Sequence, residues 1–144
     1  MGVKFNIWMS LVMLKLAVRS VSVMVLVWVA CVPVVVVPVV HFILIIIVPL
    51  VPFVVPYRMA AKGPHIEERV GALGLKFGFI VGVIILIIIV VLLVSGVSFN
   101  LYEFDSRTRA LAWIIVFIAP LYSGSMASLG FMYGVLKNKK LESE

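Results

Sequence analysis

The sequence predicts an all-α integral membrane fold with four transmembrane helices, and three observations carry that prediction. The first is composition: of 144 residues, 65% are hydrophobic and only 12% charged, with a mean hydropathy of +1.30. A water-soluble domain is about half apolar and about a quarter charged. A globule as apolar as this one would expose greasy surface to water and aggregate, whereas lipid tails solvate the same surface. The second is the placement of charge, which falls in four clusters: Lys4 to Arg19, Arg58 to Lys76, Glu103 to Arg109, and Lys137 to Glu144. The charge-free stretches between them, 20–57, 77–102 and 110–136, each exceed the roughly 20 residues a spanning helix needs. The third is the absence of two-residue alternation in runs such as 84–94, which excludes the strands of a membrane β-barrel.

The first apolar region decides between three spans and four. Residues 3–19 form a greasy segment on which Lys4, Lys15, Arg19 and Ser22 share one narrow stripe at 100° per residue. Such a segment suits the interface or the snorkelling start of a span, and Trp8 suits either place. As one helix, 20–57 would be about 57 Å long, nearly twice the roughly 30 Å hydrocarbon thickness. It also contains Pro33, Pro38, Pro49, Pro52 and Pro56, each of which removes a helix hydrogen bond. A turn near Pro33–Pro38 yields spans at about 12–32 and 39–56. The alternative is three spans, with a long proline-broken first helix. Lys and Arg divide five to seven across the membrane in that alternative, and ten to two with the turn. The positive-inside rule favours the second division, hence four spans with both termini cytoplasmic, and the cell membrane is the expected location.

The later elements follow from local signals. Gly63-Pro64 interrupts the chain, Pro64 suits a first helical turn, and Glu67 and Glu68 suit the positive end of a helix dipole. A third span is expected at 77–100. Asp105 or Ser106 caps a fourth at 110–136, which contains Pro120. Lys137-Asn138-Lys139-Lys140 follows as a stop-transfer anchor, with a frayed tail.

Two features stand out as candidate sites. Gly71, Gly74, Gly78 and Gly82 stack on one helix face, and Gly130 and Gly134 do so near the end of the fourth helix, beside Ser123-Gly124-Ser125 and Ala127-Ser128. Small residues let helix backbones approach closely, and van der Waals contact replaces the hydrophobic drive that lipid does not supply. Packing of the third helix on the fourth is the first expectation; a homo-oligomer or a larger membrane complex is the second. His41 is the one ionisable side chain of interest within a span. It is a candidate ligand or proton site, set against a neutral histidine bonded to a backbone carbonyl freed by Pro38. His65 falls on the opposite side, so one monomer does not unite the two.

Several classes are disfavoured. All six carboxylates (Glu67, Glu68, Glu103, Asp105, Glu142, Glu144) lie outside the expected spans, against ion-coupled transport. There is no P-loop, nucleophile elbow or zinc-binding motif, so no catalytic residue, metal or cofactor is expected. Cys31 is the sole cysteine, which permits no intrachain disulfide; neither lipidation nor a cleaved signal is expected. The net charge of +6 reads as cations flanking spans and meeting anionic lipid, not as nucleic-acid binding. The expected activity is that of a non-catalytic accessory, assembly or structural subunit. A small oligomeric transporter or channel using Ser95, Ser98, Tyr122, Ser123, Ser125 and Ser128 is one alternative. A redox anchor using His41 is another, and a Soret band in the optical spectrum would distinguish it.

Overall fold

The computed structural model describes residues 2–31, 38–62, 70–98 and 106–142, with side chains described for 11–31, 44, 46–62, 70–96 and 112–138. These residues form four helices and no strand: α1 (Gly2–Cys31), α2 (Pro38–Ala61), α3 (Val70–Ser98) and α4 (Ser106–Glu142). Three contain stretches long and apolar enough to cross a membrane, namely Leu11–Cys31, Val70–Gly96 and Ala112–Asn138. The remaining one, α2, has a shorter apolar stretch, Ile46–Ala61, among the described residues. Residues 20–57 are thus two helices. The turn expected within 34–37 lies outside the described residues, as do His65, the Pro64 helix start and Asp105.

The helices run longer than the expected spans. The cation-bearing segment at 3–19 and the first span form one continuous helix, because nothing between Val3 and Cys31 is glycine or proline. In α2 the helix continues through Pro49, Pro52 and Pro56. Each proline leaves the carbonyl four residues earlier without its usual donor. In hydrocarbon no water offers an alternative, so the remaining backbone bonds hold the helix together. The expected frayed tail is instead helical through Glu142, as the helix-forming Lys, Leu and Glu residues there allow.

Contacts place α4 between α2 and α3, and α1 against α2 and α3 on the other side. Among the described residues α1 does not touch α4, and α2 does not touch α3. Relative directions follow from which residues meet. Along α3, Gly74, Gly78 and Gly82 approach Met132, Gly124 and Pro120 in turn, so α3 and α4 are antiparallel. Along α2, Phe53 meets Gly130 and Tyr57 meets Gly134, so α2 and α4 are parallel. The direction of α1 follows from chain length. Cys31 and Pro38 are separated by at most about 25 Å of extended chain, whereas α2 is about 36 Å long. Only an antiparallel α1 lets the link close along α2. The exposed cations Arg58, Lys62, Lys76 and Lys137 consequently gather at one end of the bundle, where the Lys137 ammonium lies 5.7 Å from the Tyr57 ring centre.

The core fills the half of the bundle nearer that end. Met13, Ala17, Val21 and Met24 of α1 join Leu73, Phe77, Val81 and Ile85 of α3 and Ala127, Phe131 and Val135 of α4. Phe77 and Phe131, both fully buried, stack at 4.6 Å between centroids with their planes 18° apart. In the other half, Ile87, Val90, Leu92, Trp113 and Ile118 are exposed, as lipid-facing side chains are.

Candidate functional site

The glycines define two seams on α4. At the α3–α4 seam, a Cβ on Gly78 would collide with the Gly124 carbonyl oxygen and stand 2.6 Å from Ser128 Cβ. One on Gly124 would stand 2.8 Å from the Gly78 carbonyl oxygen. The contact is therefore reciprocal, backbone against backbone, with Cα–H groups facing carbonyl oxygens. A Cβ on Gly74 would collide with the Met132 side chain, and one on Gly82 would lie 3.1 Å from the Pro120 carbonyl oxygen. Gly71 faces open space.

The second seam differs from the expected pairing. Gly130 and Gly134 do not meet α3; they meet α2. A Cβ on Gly130 would collide with the Phe53 carbonyl oxygen, and one on Gly134 would lie 2.8 Å from Ala60 Cβ and close to the Tyr57 carbonyl oxygen. Pro52 and Pro56, both fully buried, lie beside this contact. The oxygens that meet the glycines are those of Phe53 and Tyr57, whereas Pro49, Pro52 and Pro56 free the carbonyls of Ile45, Val48 and Pro52, so it is the missing side chains of Gly130 and Gly134 that let the two backbones approach. Farther along, the Tyr122 hydroxyl donates to the Pro49 carbonyl at 3.0 Å, tying α4 to α2 again. Phe53 and Tyr133 flank the seam with ring centroids 6.2 Å apart.

Spacing singled out five of the six seam glycines but not Gly124, which has no glycine four residues away. The signal available for it was its serine neighbourhood. Of the hydroxyls that would line a polar path, Ser123 and Ser128 are buried, whereas Tyr122 and Ser125 are exposed. Ser128 donates weakly to the Met132 sulfur at 3.9 Å, and the side chain of Ser98 lies outside the described residues. Ser125 and Ser128 both line the groove between α3 and α4, whereas Tyr122 turns to α2. Between α3 and α4 a groove of about 420 Å³ opens sideways, floored by Gly78, Gly82 and Gly124 and walled by Phe79, Phe117 and Leu121. Apart from Ser125 and Ser128 its lining is apolar, and Phe79 and Leu121 are each more than two-thirds exposed.

His41 is the fourth residue of α2, at the end away from the cation cluster; its side chain lies outside the described residues. No group of three or more His, Cys, Asp or Glu residues suited to a metal occurs among the described residues. Two buried polar atoms, Ser20 Oγ and Trp28 Nε1, have no hydrogen-bond partner. A buried hydroxyl without a partner costs the full loss of its hydration, so Ser20→Ala is expected to be neutral or stabilising by up to about 1 kcal/mol, read by reversible unfolding in mixed micelles.

Comparison with protein families, curated proteins and solved structures finds no match to this chain. The seams, the groove and the surface therefore carry the functional reading by themselves.

Proposed function

We propose that the chain is a non-catalytic subunit of a membrane assembly, a structural or accessory component whose rigid bundle presents lipid-exposed faces to partners. One observation carries the reading: chemically active side chains are outside and inert ones inside. The described charged residues Lys15, Arg19, Arg58, Lys62, Lys76 and Lys137 are all exposed. Among the described residues the buried polar side chains are serines, at positions 20, 123 and 128. Backbone-to-backbone seams suit a scaffold, because they fix helix positions with little room to slide. The test is purification of the tagged full-length chain in a gentle detergent. The reading expects a second membrane protein in constant ratio, or a defined homo-oligomer. A lone monomer that moves solute across reconstituted liposomes would replace it with the transporter reading.

The proposed orientation places the cation-rich end and both termini in the cytoplasm, by the positive-inside rule. In a Cys31→Ser background, a thiol reagent that does not cross membranes should label Val35→Cys from outside the cell. Labelling from the cytoplasmic side alone would contradict this orientation.

A further inference from the structure

The outward face of α1 combines charge with depth. Lys15 and Arg19 stand one turn apart, exposed, with exposed Ser22 beside them, while Met13, Ala17, Val21 and Met24 on the opposite face are buried. The cations therefore point directly away from α2 and α3. Leu11, Leu14, Val18 and Leu26, all exposed, surround them with apolar surface. A span of about 20 residues that ends with α1 at Cys31 begins near Val12, so Lys15 lies about 5 Å and Arg19 about 10 Å inside it. At that depth a cation turned toward lipid tails is costly, and it either snorkels to the interface or meets a partner of opposite charge.

We infer that this face of α1 docks a transmembrane helix of another protein, one carrying Asp or Glu at matching depth. Charge complementarity sets the chemistry: a guanidinium and a carboxylate form paired, charge-assisted hydrogen bonds, which strengthen where water is excluded. The flanking leucines and valine supply the packing surface. Among the described residues a second copy of this chain offers no carboxylate at matching depth: α1, α2 and α3 contain none, and the one in α4 is its last residue, Glu142. The inference rests on the subunit reading and assigns that partner's contact face and charge.

The test uses the full-length chain in phosphatidylcholine liposomes with a fluorescent leucine–alanine spanning peptide bearing two Glu residues four apart, one third of the way along. An otherwise identical Gln peptide is the reference, and association is read by energy transfer. The Glu peptide is expected to bind about tenfold more tightly. That preference should vanish in the Lys15→Gln, Arg19→Gln double variant and persist in Lys76→Gln. Equal binding of the two peptides, or a preference that survives the double variant, overturns the inference. So does abolition of the preference by phosphatidylglycerol, which would assign the stripe to lipid phosphate. The detergent purification separates the two readings: a partner retained equally by wild type and double variant sinks this contact alone, whereas no partner in the wild type sinks the subunit reading.

Discussion

Gly130→Leu is expected to unseat α2 from α4 and to lower the stability of the bundle by about 3 kcal/mol or more. Adding even single methylenes to a tight core costs roughly 1–3 kcal/mol, and here the obstacle is the Phe53 backbone, with its carbonyl oxygen, carbonyl carbon and Cα all close to the Gly130 Cβ position. Backbone does not step aside as a flexible side chain does. The helices must separate, and separation also loses the Tyr122–Pro49 hydrogen bond and the Phe53–Tyr133 contact. Reversible unfolding in detergent–SDS mixtures reads the loss. Stability within about 0.5 kcal/mol of wild type, the range of an inconsequential surface change, would show that the α2–α4 seam is not closed at Gly130.

The second large effect is at Gly78. Gly78→Leu should open the α3–α4 seam by a comparable amount, because it meets Gly124 backbone and the Ser128 Cα and Cβ together. Alanine substitutions should rank by the space each glycine has. Along α3, Gly78→Ala should cost most, about 1–3 kcal/mol. Gly82→Ala should cost less, since its tightest neighbour is the Pro120 oxygen at 3.1 Å. Gly71→Ala should lie within about 0.5 kcal/mol of wild type. Equal costs at Gly71 and Gly78 would contradict the seam, and would point to glycine spacing that serves something other than α3–α4 contact.

Much of this architecture was legible in the residues. Charge-free stretches, the Pro33–Pro38 interruption and the distribution of Lys and Arg together separate four helices, because hydrocarbon excludes charge and proline resists mid-helix placement. Glycines at four-residue spacing mark a helix face, because they fall within 40° steps of one another. Periodicity on one helix does not name the neighbour that fills it, and that is where the reading stopped. Gly130 and Gly134 looked like counterparts of the α3 glycines, yet they face α2. The residues of α2 that meet them, Phe53 and Tyr57, do so through backbone oxygens that no side-chain pattern records. Gly124 was visible only as one small residue among several, since its role depends on Gly78 in another helix. The extension of α1 back to Gly2 was open for a different reason: a greasy segment with three cations suits an interfacial helix as well as the start of a span, and nothing in it breaks the helix.

Seating of α2 and α3 on α4 within a single chain is the centre of this account, and cross-linking in native membranes tests it most directly. In a Cys31→Ser background, one variant carries Phe53→Cys with Tyr133→Cys and another carries Phe77→Cys with Phe131→Cys; each is treated with a short bifunctional thiol reagent. Both pairs should cross-link within one chain, giving a product of monomer mass with altered mobility. A product of dimer mass, or no product from either pair, would contradict the arrangement and place the α4 faces against another molecule.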